Sequence, residues 1–103
     1  DISSAVQNIV EKAGFRCVRS LTGHGVGYTL HQFPDIPNVG KSGTGPVLPA
    51  GTAVAIEPIV TSGGSDKIET EDDGWTIRMS DGALSAHFEH TVLVTEEGCE
   101  VLA

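Results

Sequence analysis

The sequence predicts an α+β fold in which one N-terminal helix precedes an antiparallel sheet. Helical spacing of apolar residues occurs only near the start of the chain. Every later apolar run is short, rich in β-branched residues and bounded by glycine, proline or polar turn signals, as short antiparallel strands are. Adding the 13 glycines to the 39% hydrophobic fraction brings apolar usage to about half, the level of a globular domain. At 103 residues such a chain has enough material for one modest core.

From Ser3 to Phe15 the residues Val6, Ile9, Val10 and Ala13 recur at three and four residue intervals, with Ser3 or Ser4 expected to cap the start and Gly14 to mark the end. Cys17 to Leu21 reads as a short extended stretch. Gly23-His24-Gly25-Val26-Gly27 follows, where missing side chains let backbone approach a ligand or another strand closely. His31 to Pro49 holds four of the five prolines and is expected to be an ordered but irregular loop, stiffened by Pro34 and Pro37. Thr52 to Val60, Trp75 to Met79 and Ala86 to Thr95 read as strands. Ser62 to Ser65 and Glu69 to Gly74 read as loops, and Glu96-Glu97-Gly98 as a terminal hairpin turn.

Charge narrows the partners. Six Lys and Arg stand against fourteen Asp and Glu, a net charge of −8, so the basic face that a phosphate backbone requires is missing and nucleic acid is excluded as a partner. No apolar run approaches the ~20 residues of a membrane span, and the first residues lack the basic and apolar regions of a signal peptide. A cytoplasmic protein without a membrane partner is the expectation. Cys17 and Cys99 lie far apart without metal-ligand spacing and are expected to be reduced, buried thiols.

Two residue types, glutamate and histidine, break the strand pattern. Glu57 sits inside Ala53-Val54-Ala55-Ile56-Glu57-Pro58-Ile59-Val60, where an uncompensated carboxylate costs several kcal/mol. Pro58 holds Glu57 extended and removes a ladder donor, as at a strand edge or bulge that aims a side chain into a site. Glu89 repeats the interruption within Ala86 to Val94, sharing a face with His87 and Thr91. His24, between two glycines, offers an unobstructed imidazole, and His31 lies seven residues on. One imidazole and two carboxylates form an N/O donor set suited to Mn, Fe, Co or Zn, and a divalent charge would compensate both glutamates. Two other patterns fail. Gly40-Lys41-Ser42 lacks the leading glycine of a phosphate loop, where Asp35 stands, and Glu69-x-Glu71-x-Asp73-Gly74 has Ser80 where a calcium loop needs its final Glu.

Taken together, Gly23-His24-Gly25-Val26-Gly27, His31 with Pro34 and Pro37-Asn38, Ala55 to Val60, Asp73-Gly74-Trp75-Thr76 and Leu84 to Thr91 resemble the C-terminal part of type I methionine aminopeptidases. The resemblance implies the pita-bread fold, with residues 1–103 a single partial domain, the C-terminal portion of a metallopeptidase catalytic domain. It implies that His24, Glu57 and Glu89 are metal ligands of a centre holding two divalent ions, Co, Mn, Fe or Zn. It further implies that Glu57 is also the catalytic proton shuttle, that His31 is the catalytic residue contacting the substrate carbonyl, and that Trp75 is a wall of the methionine pocket. The implied substrate is the N-terminal methionine of nascent polypeptides.

Two departures accompany the resemblance. Leu30 and Gln32 stand where the family has an aromatic and an acidic residue around its second histidine. The family's two aspartate ligands lie upstream of its first histidine, whereas only Asp1 precedes Cys17. The expectation is therefore a chain cut from a longer protein, partnered by an N-terminal half of its own domain, which alone binds metal weakly and lacks useful activity. Two alternatives are distinguishable: a prolidase or proline-specific aminopeptidase, against which the Asp73 to Thr76 and Ser85 to Thr91 runs argue, and a non-catalytic pita-bread binding module, in which His24, Glu57 and Glu89 would drift apart.

Overall fold

The computed structural model describes residues 1–103. Helix α1 (Ile2–Lys12) starts one residue before the predicted span and ends three before it. Its cap is Asp1, not Ser3 or Ser4, and Asp1 makes no side-chain capping bond. Instead the Asp1 carboxylate accepts bonds from Ser42 Oγ and the Gly43 N–H, both at 2.8 Å, and Gln7 Oε1 accepts from the Gly40 N–H. The helix start is thus fastened to the 40–43 loop, a long-range use of the side chain that local spacing does not encode. The predicted stop holds: Gly14 follows the C-cap with φ +86°, a conformation cheap only for glycine.

Ten strands form three antiparallel groups. β2 (Gly23–Val26), β3 (Gln32–Ile36), β4 (Ala53–Ile56), β9 (His90–Thr95) and β10 (Gly98–Val101) build a five-stranded sheet in the order β10-β9-β4-β2-β3. β1 (Arg16–Cys17), β5 (Ile59–Thr61) and β8 (Ser85–His87) build a three-stranded sheet in the order β1-β5-β8, and β6 (Ile68–Thr70) pairs with β7 (Ile77–Met79) as a ribbon. Ile36, Val54 and Val92 form the buried core of the large sheet, with Ile2, Leu48 and Ile56 packed against it. No helix is long and apolar enough to cross a membrane.

Several elements differ from expectation for physical reasons. The Pro-rich stretch contains a strand, β3, because that strand is a sheet edge and its proline has no inward ladder bond to lose. The first two residues of the loop expected over Glu69 to Gly74, Glu69 and Thr70, belong to β6 instead, since Arg78 reaches across to the Glu69 and Glu71 carboxylates and draws the two segments together. The extended stretch after Cys17 is shorter than expected, only Arg16 and Cys17 pairing with β5. The terminal hairpin is as expected, with Gly98 paired to Thr95 across Glu96-Glu97.

The two single strands predicted over Thr52 to Val60 and Ala86 to Thr95 are each two strands in different sheets. β4 passes to β5 at Glu57-Pro58, and β8 passes to β9 at Phe88-Glu89. Both crossings lie at the same level of one antiparallel ladder. Ile56 pairs with His90 below the break and Ile59 with His87 above it, and Phe88 N–H donates to the Pro58 carbonyl within it. The register carried across the gap sets Glu57 opposite Glu89.

One cysteine also corrects the sequence reading. Cys17 is buried, but Cys99, on the outer strand β10, is exposed. Burial pushes the Cys17 thiol above its ordinary range, the Glu11 carboxylate adding to the effect and Arg19 opposing it. Thiolate is the reactive form, so iodoacetamide at neutral pH is expected to modify Cys99 at least ~10-fold faster than Cys17 in the folded protein, and both alike after denaturation. Equal rates before denaturation would mean that β1 does not protect its cysteine.

Candidate metal centre

The corner where the sheets exchange strands is also where the unusual side chains meet. His24 lies on β2 beside Ala55 of β4, and Ala55 pairs on its other side with Thr91 of β9. Two residues beyond Ala55 along that face comes Glu57, and two before Thr91 comes Glu89. A central strand pair and its neighbour thus deliver one imidazole and two carboxylates to one spot from positions 24, 57 and 89. Ligand atoms of His24, Glu57 and Glu89 all lie within 4.8 Å of one another.

Glycine makes the approach of β2 possible. A Cβ at Gly23 would stand 2.1 Å from the Ala55 carbonyl oxygen, and one at Gly25 would stand 2.3 Å from that of Phe33. Both obstacles are backbone, so no side-chain rotation relieves them. The close approach expected for the glycine-laced segment is an approach to strands on either side, and it leaves His24 only 8% exposed.

The hydrogen bonds of His24 define what the site needs. Nδ1 lies 2.9 Å from the Gly25 carbonyl, and Nε2 lies 3.1 Å from Glu57 Oε1. Both partners are acceptors, yet a neutral imidazole carries one N–H. With the Nδ1 proton given to Gly25, the Nε2 lone pair points at a carboxylate that itself faces Glu89. Like charges directly opposite on a ladder are destabilising, and a lone pair facing an anion adds to the deficit. A divalent cation bound by Nε2 and the two carboxylates removes both problems, and backbone capture of the other ring nitrogen is the usual way a ligating histidine is oriented. The donor set therefore fits the divalent metal that the sequence predicted.

Other predicted residues take different places. The His31 ring stands 3.9 Å from the His24 ring, centroid to centroid, and is exposed, so it borders the group. Trp75 lies in the turn between β6 and β7 and is 86% exposed. Asp73 builds that turn: it accepts from the Thr76 hydroxyl and from the Trp75 and Thr76 N–H groups, which hold its carboxyl below the usual carboxylate range.

Two residues at the site were not picked out as site residues from the sequence. Asn38 is fully buried, and its Nδ2 donates at 3.4 Å to the carbonyls of Leu21 and Glu57, steadying the backbone at the strand crossing. His87 Nε2 lies 3.2 Å from Glu57 Oε2, the oxygen that does not face His24. Its only signal in the sequence is the two-residue spacing from Glu89, which sets both on one strand face.

Comparison with known proteins bears on the chain as a whole. The model of a family described as metallopeptidase family M24 matches residues 1–96. A methionine aminopeptidase of Clostridium perfringens is 49% identical over 102 residues, covering 99% of this chain and 41% of its own. Among solved structures, a methionine aminopeptidase from Thermotoga maritima superposes with a TM-score of 0.95 at 49% identity, over 99% of this chain and 41% of that one. A methionine aminopeptidase from Rickettsia prowazekii gives 0.92 at 41% identity, over 98% and 41%. The chain thus has the pita-bread architecture of those enzymes and spans about two fifths of the length of the relatives it matches.

Proposed function

We propose, for a chain that belongs to metallopeptidase family M24, that it is the C-terminal, metal-holding part of an aminopeptidase that removes N-terminal methionine from proteins and peptides. The observation that carries this reading is the meeting of His24, Glu57 and Glu89 within 4.8 Å, with both nitrogens of His24 facing acceptors. The similarity to methionine aminopeptidases supports the choice of reaction.

In this reading His24 offers Nε2, its ring held in the required tautomer by the Gly25 carbonyl. Glu57 and Glu89 would hold the divalent ions together with His24, and the two aspartate ligands that the resemblance implies would complete the set. Bound divalent ions polarise a carbonyl and acidify water. Co, Mn, Fe and Zn all suit the donors, and availability chooses among them. Glu57 takes the proton of the attacking water on a carboxylate oxygen and passes it to the departing amine. His31, beside His24 and open to solvent, donates to the substrate carbonyl oxygen. Trp75 lines the pocket for the methionine thioether, for which an aromatic ring is a favourable neighbour.

Residues 1–103 form one partial domain with the remainder of the catalytic unit. Exposed Tyr28, Phe33 and Val47 support an apolar face that such a remainder covers. On its own the chain is expected to bind metal weakly and to be inactive. Two free cysteines suit a reducing cytoplasm, where nascent chains carry their first methionine.

The test is hydrolysis by the whole encoded protein, loaded with Co(II) or Mn(II), of Met-Ala-type and Xaa-Pro peptides. Release of N-terminal methionine, abolished by a chelator and restored by metal, is expected. Preference for Xaa-Pro peptides would turn the assignment to a prolidase, and metal binding without hydrolysis of either to a non-catalytic module.

A further inference from the structure

We propose that His87 is a positioning residue for the metal centre: its Nε2–H fixes one oxygen of Glu57 so that the other is presented to the ion beside His24. This rests on the metal reading above but concerns a residue that reading leaves without a role.

The two imidazoles take different oxygens of the same carboxylate. His24 Nε2 is 3.1 Å from Oε1 and His87 Nε2 is 3.2 Å from Oε2. His24 has a second acceptor, the Gly25 carbonyl at Nδ1, whereas the His87 ring makes no hydrogen bond but the one to Glu57, so its proton belongs on the nitrogen that faces the carboxylate, whether the ring is neutral or charged. His87 is therefore a donor there. It also lies outside the group of donor atoms that fall within 4.8 Å of one another, so the cluster that suits an ion is complete without it.

Topology explains the contact. Glu57 stands opposite Glu89 where the ladder changes sheets, and His87 is two residues before Glu89 on β8, the diagonal neighbour of Glu57. Long side chains at diagonal positions of an antiparallel pair reach one another. Glu57 lies between strands, followed by a proline, and its Oε1 would otherwise swing about the last side-chain torsion, which is broad for a glutamate. Bonding Oε2 removes that freedom. Outer partners of this kind typically change metal affinity 10- to 100-fold when deleted.

The experiment compares the whole encoded protein with its His87→Ala and His87→Gln variants, titrating each with Co(II) and following cobalt absorption and heat. His87 is about half exposed, and both variants are expected to melt within a few degrees of the parent. His87→Ala is expected to weaken Co(II) binding by ~10- to 100-fold, while His87→Gln, whose amide N–H donates to Glu57, recovers to within ~3-fold. Cobalt affinity unchanged in His87→Ala overturns the proposal, as does a His87→Gln variant as weak as His87→Ala, which would make the imidazole itself a ligand. Failure of the parent protein to bind Co(II) at all would instead remove the metal reading on which both rest.

Discussion

Replacing Glu57 with Gln is expected to abolish metal-dependent stabilisation while leaving the metal-free fold almost unchanged. Two opposed effects make the metal-free protein indifferent. The variant loses the charged acceptor facing His24 and His87, but it also removes one of two carboxylates set opposite one another at the strand crossing. The net change in unfolding free energy is expected to stay within about 1 kcal/mol. With metal the two proteins part. A ligand at a hundred times its Kd stabilises the folded state by about 2.7 kcal/mol, and the parent should gain that amount with Co(II) while the variant gains none. Deleting a residue that merely orients a ligand costs up to ~100-fold in affinity, so loss of a ligand should cost more. In the whole encoded protein, hydrolysis of Met-Ala-type peptides should fall by about 10²- to 10⁴-fold, the loss that the proton-accepting role proposed for Glu57 entails. Denaturation of the whole encoded protein with and without Co(II) is the measurement. A variant that Co(II) stabilises as well as the parent would show that Glu57 does not hold the ion.

Gly23→Ala is expected to be the most damaging small substitution in the chain. Its new methyl would sit 2.1 Å from the Ala55 carbonyl oxygen and 3.3 Å from Ile36 Cβ. Overpacking a core usually costs about 1–3 kcal/mol, and here the obstacle is backbone in the central strand β4, so the loss should reach the upper end of that range or exceed it. β2 would have to part from β4, and His24 would move with it away from Glu57. Loss of stability and loss of Co(II) affinity should therefore appear together. Gly64→Ala is the control: no atom lies within 4 Å of a Cβ at that position, and its effect should be within about 0.5 kcal/mol. A denaturant midpoint for Gly23→Ala equal to that of Gly64→Ala would contradict the packing described for β2.

The candidate site was legible where one segment of chain carries its own anomaly. A carboxylate in an apolar run, as at Glu57 and Glu89, and a histidine between glycines, as at His24, each stand out because burial of charge is costly and a missing Cβ has a use. The contact between His87 and Glu57 was not legible, because nothing in either segment states which strands pair or in what register. The exposure of Cys99 likewise depends on β10 being the outer strand of its sheet.

The same division runs through the fold. Period and turn chemistry are local, so the sequence by itself determined the helix, its glycine stop, a terminal hairpin turn at Glu96-Glu97-Gly98 and the β character of the apolar runs. It also marked the proline at which one run is interrupted. Only the tertiary structure decided that this interruption and the one at Phe88-Glu89 are opposite sides of one corner between two sheets, that β3 tolerates its proline as an edge, and that Asp1 serves a distant loop in place of its helix. Those outcomes depend on which partner each segment meets, and the free energy that selects a partner is spread over residues far apart along the chain.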